Sequence, residues 1–377
     1  HRDLHSFPTR RSSDLDEVNG SSTFEADTYG TYVLRWTISN GTCTPSSADA
    51  TINFYSNFNI DFVPGWNWFS VNTLTSDMSL DNILSSGFTD GDYIKSQTEF
   101  SFYSSEDGWV GILPEIQPEK LYIIRVQNAT GIDFCGTPAD ISATPINLVT
   151  GWNWIGYIPT FQLPINDALA SITPAVGDNI KNQVTFSEYT GAWGWQGGMS
   201  SMTPAEGYMI RLSAPDILQY PSSPSKGGNI VTERFPEKSF SPRNYEYNGS
   251  VTAKIIADGA ETGSAKDILY AFVGDEIRGM SHGIYIDFMD SWIFPLMVHS
   301  NIVEGEIVTF RYFDSENNRF YNCLENIVFN SDMIISGLLK PFKLNIVTDS
   351  KSAMDEISNR MELNVYPNPF KIGRAHV

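Results

Sequence analysis

The sequence predicts a mostly β, multidomain protein, in which tandem small β modules with one short helix each precede a β-sandwich domain. Three observations support this fold class. Runs of β-branched and aromatic residues alternate with Gly- and Pro-containing turns along most of the chain, which is typical of strands. The chain has 377 residues, more than one hydrophobic core usually holds. The tetrapeptide GWNW occurs twice, at residues 65–68 and 151–154, which indicates an internal duplication.

The two ends of the chain look non-native. Residues 1–15 read HRDLHSFPTRRSSDL, and residues 371–377 read KIGRAHV. Both strings resemble in-frame translations of a common short-read sequencing adapter, and such segments do not belong in fold reasoning. We therefore expect the native part to span 16–370 and to be a fragment at both ends.

Charge and hydropathy exclude two classes of interaction. The net charge is −20 at pH 7, with 44 Asp and Glu residues against 24 Lys and Arg. Binding to nucleic acid or to anionic lipid needs a basic face, which this composition does not favour. No apolar run reaches the roughly 18 residues that a membrane-spanning helix needs. We therefore expect no nucleic-acid partner and no membrane span.

Residues 16–56 end in two predicted strands. Tyr32, Leu34 and Trp36 alternate with polar neighbours, as in a half-buried strand, and a second strand is predicted over 48–54. The sequence RWTISNGTC resembles the end of immunoglobulin-like or PKD-like modules of secreted Bacteroidetes-type proteins. Because two strands are not stable alone, the resemblance implies that 16–56 holds the C-terminal strands of a truncated module.

The duplication extends well beyond the tetrapeptide. At an offset of 86 residues, 21 of the 61 positions from 65 to 125 are identical without a gap. This period is longer than that of a solenoid repeat, so each copy is predicted to be a small domain, over 58–146 and 147–213. Within a copy, the pattern predicts a strand, a short helix and then three strands.

Tryptophan is concentrated in the two copies. The tryptophans of the GWNW sequences are predicted mainly to fill the cores, because large aromatics supply much of a small core. Three others stand in Gly-rich sequences that read as loops: Trp109, Trp193 and Trp195. Loops expose side chains and often carry function. These three residues are therefore the candidate ligand-binding residues, with rings that stack on an extracellular glycan or protein.

The remainder of the chain divides into a linker and a third module. Residues 214–245 are rich in Pro, Ser, Gly and charge, which predicts a linker. Residues 246–347 alternate apolar and polar residues between turns, which predicts a β-sandwich. The sequences LYAFVGDEIRG, VTFRYFD and PFKLNI resemble a β-sandwich module that precedes the C-terminal sorting signal in many secreted Bacteroidetes and Chlorobi proteins.

The tail carries a targeting motif. After a further linker over 348–360, residues 361–370 read MELNVYPNPF and resemble the start of the C-terminal sorting domain of the type IX secretion system, here truncated. The motif residues are Val365, Tyr366, Pro367, Asn368, Pro369 and Phe370. The resemblance implies the type IX secretion machinery as a partner and a location outside the cell or on the outer-membrane surface.

Catalytic motifs are scarce. Residues 279–283, GMSHG, match G-x-S-x-G around Ser281, but the following sequence predicts a turn and a strand where a nucleophile elbow needs a helix. His282 and His299 are expected on the surface or in loops. The cysteines lack metal-ligand spacing and their pairing stays open: Cys43, Cys135 and Cys323.

Two sequences, DGDY (90–93) and ADGAETGSAKD (257–267), carry carboxylates that could bind calcium. The sequence ADGAETGSAKD carries oxygen ligands of the kind that calcium prefers, without the spacing of an EF-hand loop. The candidate calcium ligands are Asp258, Glu261 and Asp267. No other cofactor is expected.

These patterns predict a secreted or cell-surface protein without catalytic activity. Its modules would act as an adhesin, a stalk or ligand-binding units, exported by type IX secretion. The alternative is the C-terminal accessory region of a larger secreted hydrolase, a peptidase or a glycoside hydrolase, whose catalytic domain lies upstream. Because modules of one fold serve many functions, the sequence leaves both open.

Overall fold

The computed structural model describes residues 4–7, 29–38, 42–224 and 240–348. The architecture is mostly β and multi-modular, as predicted, with two α-helices of four residues each in these ranges. Among the helices of these ranges, none combines the length and the apolar character that crossing a membrane requires.

A three-stranded antiparallel sheet precedes the repeats. Its strands lie side by side in the order β1 (Leu4–Phe7), β2 (Gly30–Ile38) and β3 (Ser46–Phe54). β1 falls in the adapter-like end. β2 and β3 are the two strands predicted for this segment. The ring of Tyr32 is buried and meets the edge of Phe54, so one face of this hairpin holds an aromatic pair.

The first module spans 56–138. Its elements are β4 (Ser56–Phe62), β5 (Gly65–Phe69), β6 (Thr73–Leu74), α1 (Leu80–Ile83), β7 (Tyr93–Lys95), β8 (Phe100–Ser104), β9 (Gly108–Gly111), β10 (Tyr122–Val126) and β11 (Thr130–Pro138). They form a five-stranded sheet in the order β5-β10-β7-β8-β9 and a three-stranded sheet in the order β4-β11-β6.

The second module spans 141–220. Its elements are a 3₁₀ turn (Ile141–Ala143), β12 (Ile146–Leu148), β13 (Gly151–Gly156), β14 (Leu163–Pro164), α2 (Ile165–Ala168), β15 (Asn179–Lys181), β16 (Phe186–Tyr189), β17 (Trp195–Gly197), β18 (Ser201–Met202), β19 (Gly207–Leu212) and β20 (Asp216–Leu218). The five-stranded sheet has the order β13-β19-β15-β16-β17, and β12 pairs with β20 and β14 with β18.

The two five-stranded sheets share one topology and one register. Ile123 lies opposite Trp68 in the first sheet, and 86 residues later Met209 lies opposite Trp154. The same offset relates the other ladders of the two sheets. Because side chains alternate between the two faces of a strand, residues 86 apart occupy the same face. The structure therefore confirms the duplication.

Two predicted boundaries differ from the structure. The one strand predicted between the short helix and the Gly–Trp sequence is a hairpin of β7 and β8, because Ser96 N–H donates to Glu99 O at 2.8 Å and closes a turn. The predicted linker begins too early, because β20 pairs with β12 and Tyr220 is buried in the core of the second module. The polar composition of 214–245 predicted a linker throughout, although β20 lies at the start of this segment.

The Gly–Trp sequences join the short helix to the sheet. Trp109 N–H donates to Asp81 Oδ1 at 2.8 Å, and its indole N–H donates to Leu84 O at 3.1 Å. Trp195 N–H likewise donates to Asn166 Oδ1 at 2.7 Å. Gly108 has a φ of +76°, and a Cβ at this position would meet the Asp81 carboxylate. Glycine is therefore required before this tryptophan.

The third module spans 242–347 and is a β-sandwich. Its elements are a 3₁₀ turn (Pro242–Asn244), β21 (Tyr247–Ala257), β22 (Ala260–Thr262), β23 (Ile268–Val273), β24 (Glu276–His282), β25 (Ile284–Ile286), a 3₁₀ turn (Asp287–Met289), β26 (Ser291–Ser300), β27 (Glu304–Asp314), β28 (Arg319–Asn330), β29 (Ile334–Ile335) and β30 (Phe342–Ile346).

Two sheets enclose the core of this sandwich. One has the order β22-β21-β26-β25, with β29 and β30 paired in parallel to β21, and the other has the order β24-β23-β27-β28. Alternating apolar residues of both sheets, such as Phe294 and Phe310, are buried between them. The β-sandwich predicted from the alternation of apolar and polar residues is therefore present.

Candidate functional site

The first and second modules pack together through the GWNW tryptophans. Trp66 is buried with Leu121, Ile123 and Met209, and the other three tryptophans of the two copies pack against this cluster. The cluster draws on both modules, because equivalent residues such as Ile123 and Met209 meet there. The prediction that these tryptophans fill core is right in kind, although the core they fill lies between the copies.

Two glutamines make the contact reciprocal. Gln97 of the first module donates to Trp152 O at 2.8 Å and accepts from Trp154 N–H at 2.9 Å. Gln183, its equivalent, donates to Trp66 O at 2.8 Å and accepts from Trp68 N–H at 3.3 Å. Because β5 and β13 are edge strands, each side-chain amide satisfies an edge that would otherwise need water or another strand.

The third module covers one half of the sheet face in the second module. Lys181 Nζ donates to Asn248 Oδ1 at 2.7 Å and to Asp332 Oδ1 at 2.6 Å. Burial lowers the pKa of Lys181, and the Asp332 carboxylate opposes that effect. Glu188 Oε2 accepts from Leu338 N–H at 2.9 Å, and burial raises the pKa of this carboxyl group.

His299 completes this contact. Its Nε2 lies 3.1 Å from Gln183 O, and its Nδ1 lies 3.2 Å from Arg278 O. The residue is buried in β26, which corrects the expectation of a surface or loop position. Burial lowers the pKa of His299 to about 4. Ser281 is buried in β24, and the chain continues into β25, so the helix of a nucleophile elbow is absent at this point.

The outer half of the corresponding sheet face in the first module is exposed. We define its outer face as four exposed apolar side chains on β8 and β9 and immediately after β9: Phe100, Phe102, Val110 and Ile112. Phe102 lies opposite Val110, and Ile112 N–H donates to Phe100 O at 2.9 Å, so the four side chains share one face. Phe100 is 46% exposed, whereas its equivalent Phe186 is 2% exposed.

The second position makes the same contrast. Phe102 is 45% exposed, whereas Glu188, its equivalent, is 5% exposed and bound to the third module. Contiguous exposed apolar surface is uncommon on a monomer and marks an interaction site. The outer face is therefore the candidate functional site. The sequence analysis did not predict it, although a signal existed: at two of its positions the first copy has Phe102 and Val110 where the second has Glu188 and Gln196.

A groove of about 480 Å³ lies beside β13 and is lined by residues of both the first and the second module. Its lining includes Gln97, Lys120, Pro145, Asn153 and Trp154. In the first module, the equivalent of Asn153 is Asn67, whose Oδ1 accepts from Arg243 at 2.5 Å. A Cβ on Gly65 would meet Arg243 O, whereas around Gly151 this space is open. The third module thus fills one of two equivalent places.

The tryptophans predicted to stack on ligands lie elsewhere than expected. Trp109 and Trp195 are buried in the cores of the two modules, which corrects the prediction that their loops expose them. Both belong to strands. The glycine before each of them leaves room for a side chain of the short helix, Asp81 or Asn166, and does not mark an exposed loop. Trp193 is half exposed and stacks on Phe288 of the third module at 4.0 Å. The structure does not bring the three rings together as one platform.

The predicted calcium ligands are not assembled. Asp258 accepts from Thr348, and Glu261 binds Lys254 at 2.8 Å. Asp267 is buried and accepts from Tyr312 at 2.6 Å. Within 4–7, 29–38, 42–224 and 240–348, no group of three or more His, Cys, Asp or Glu side chains is placed to share a metal ion. Each carboxylate instead serves a local hydrogen bond.

The sorting motif, 365–370, lies outside the described residues. All three cysteines are free; Cys43 and Cys135 are exposed and Cys323 is half-buried.

No family model matches the chain, and no curated protein matches it. Among solved structures, the chain is similar to one described as "Ca2+-stabilized adhesin helps an Antarctic bacterium reach out and bind ice". The identity is 9%, 83% of this chain and 85% of that chain are covered, and the TM-score is 0.13. A TM-score this low indicates no shared fold, so the similarity carries no argument about function.

Proposed function

We propose that the chain belongs to a non-catalytic contact protein, an adhesin or stalk, located outside the cell or on the outer-membrane surface. The observation that supports this proposal is the outer face. The same half of a sheet face occurs twice in the chain, covered by the third module in the second module and exposed in the first. A protein that leaves this half of the sheet face exposed in the first module would present its apolar side chains to a partner.

The contacts between the modules suit a scaffold that holds such a face in a fixed position. Buried hydrogen bonds tie the second module to the first through Gln183 and to the third through Lys181 and Glu188. Buried polar contacts are geometrically specific, because leaving one unmade is costly. A pre-organised binding face loses less conformational entropy when a partner binds.

Export is part of the proposal. The motif at 365–370 supports the type IX secretion machinery as the export partner, and the acidic composition is consistent with a protein that stays dispersed outside the cell. An extracellular protein surface with an apolar strip is the partner chemistry that the outer face favours over a glycan. Its exposed rings are phenylalanines, which lack the polar group that tyrosine and tryptophan offer.

The test is retention of cells that display the 377-residue chain on octyl-coated and hydroxyl-coated surfaces. We expect retention on the octyl-coated surface several-fold above that of cells displaying Phe102→Glu, because the carboxylate interrupts the apolar patch. Val184→Glu, at an exposed apolar position of the second module, is the matched control and should keep wild-type retention. Equal retention of wild type and Phe102→Glu would count against the proposal, as would hydrolysis of casein by the purified chain.

A further inference from the structure

We infer that the outer face of the first module docks against the same face of a second copy of this chain, forming a twofold symmetric dimer. The inference rests on the proposed function and names the partner of its contact face. A twofold contact buries the same patch on both subunits, so the patch must be self-complementary.

The residues of the outer face meet that requirement. Where the second module has Glu188, Gln196 and Gly198, the first has Phe102, Val110 and Ile112. Glu188 accepts from Leu338, and Gly198 lies beside Pro295, so these residues suit the third module. The first module lacks these features and offers only apolar side chains. Against an identical patch, such side chains leave no polar group buried without a partner.

The surrounding charges permit the contact. Lys95 lies next to Phe100 in the ladder, and its ammonium group is already bound to Glu246 at 2.7 Å. Glu99 is likewise paired with Lys120 at 3.4 Å. Burial of the outer face against a copy therefore does not trap a lysine without its counter-ion, which would be costly.

The same sheet surface already packs against its own repeat inside the chain. The outer face continues, on the same side of the sheet, into Ile123 and Trp68, because Phe100 pairs with Lys95, and Lys95 with Ile123. Ile123 and Trp68 pack with Met209 and Trp154 of the second module. A copy placed on the outer face would extend an interface that the fold has formed once, which favours a copy over an unrelated partner.

Charge distinguishes the copy from a basic partner. The net charge is −20, and Glu106 and Asp107 are exposed at the turn between β8 and β9. Two copies repel each other, so salt should strengthen their association, because the screening length falls from about 30 Å at 0.01 M to about 10 Å at 0.1 M. A basic partner would bind more weakly as salt rises.

The experiment is sedimentation of the 377-residue chain at low and high salt, with variants that graft residues of the second module into the first. We expect wild type to dimerise, more tightly in high salt, and Phe102→Glu and Val110→Gln each to weaken dimerisation at least tenfold. The second module accommodates Glu and Gln at these register positions, so both variants should fold, which circular dichroism checks. Val184→Glu is the control and should dimerise as wild type does.

The outcomes separate the inference from the proposed function. A wild-type chain that stays monomeric at ~0.1 mM in high salt overturns the inference, as does a dimer that both grafted variants keep. If the monomeric chain is still retained on octyl-coated surfaces through Phe102, the proposed contact function stands without the dimer. If retention is also absent, both fail.

Discussion

The five-stranded sheets of the first and second modules have the same strand order and register and share tryptophans at three equivalent positions, yet they differ in what covers them. Lys95 and Lys181 occupy equivalent positions, and each ammonium group lies over a tryptophan of its own module, Trp66 and Trp152. The side chain of Lys181 is 1% exposed and that of Lys95 is 17% exposed, because the third module closes over Lys181 more completely. The duplicated fold therefore places equivalent residues at the same position in each module, whereas the neighbouring third module determines how far each of them is buried.

This difference shows where the duplicated modules have taken on separate roles. Positions that face the module's own core keep the same chemistry in both copies, as Ile94 and Ile180 do. Positions on the outer half of the sheet face differ, as Phe102 and Glu188 do. A change from an apolar to a charged residue on this face indicates that it meets different surroundings in the two modules, which supports the contact function proposed for the first module.

Removal of the buried lysine should have the largest effect. Lys181→Ala leaves Asn248 and the Asp332 carboxylate without their donor at the contact between the second and third modules. Because Asp332 is partly exposed, water takes over part of its solvation, and we expect a loss of about 3 kcal/mol, the lower end for a broken buried pair. Denaturant unfolding of the full chain measures this loss.

The equivalent lysine provides the matched control. Lys95→Ala breaks a pair whose partners, Lys95 and Glu246, both reach water, so the expected loss is about 1 kcal/mol or less. Equal losses for the two variants would show that the third module does not distinguish the two copies in energy, and the comparison would fail.

More of the fold than of the candidate site could be predicted from the sequence. The offset of 86 residues and the alternation of apolar residues predicted the two copies and the sandwich, because both patterns are local and periodic. Burial of Trp109 and Trp195 was not predictable from Gly-rich flanks, because glycine there accommodates Asp81 and Asn166. The exposure of Phe102 depends on where the third module docks, which no local pattern encodes.

Acid should weaken the contact that only the second module makes. Burial lowers the pKa of His299 to about 4, against roughly 6.5 in an unfolded chain. Between these values the unfolded state binds more protons, so stability falls as pH falls from about 6.5 to about 4, by roughly 2 kcal/mol between pH 7 and pH 5. The measurement is the unfolding free energy of wild type and of His299→Asn at pH 7 and pH 5. The loss of stability between the two pH values should be roughly 2 kcal/mol larger in wild type. Above pH 7 the two proteins should show the same pH dependence.

Neighbouring charges set the background of this measurement. Lys181 lowers the pKa of His299 further, and Arg278 provides a carbonyl group that favours the protonated ring. Glu188, whose pKa is raised by burial, contributes with the opposite sign, because its protonation stabilises the fold as pH falls. Glu188 is present in wild type and variant, so it cancels in their difference. An identical pH dependence of the two proteins would contradict a neutral His299.

The smallest expected difference concerns the reciprocal glutamines, and it isolates solvent access from geometry. Gln183→Ala removes the partner of Trp66 O and Trp68 N–H at a buried position, so both backbone groups lose a hydrogen bond that water does not replace. We expect a loss of about 2 kcal/mol in unfolding free energy. Gln97→Ala removes the equivalent two bonds at an exposed position, where water takes the place of the amide, and the expected loss is below about 0.5 kcal/mol.

Hydrogen exchange at the Trp68 and Trp154 amides provides the local readout: Trp68 should lose protection in Gln183→Ala by a larger factor than Trp154 does in Gln97→Ala. The reverse order would mean that the modules are held together by the exposed edge, and that coverage by the third module does not set the strength of the contact.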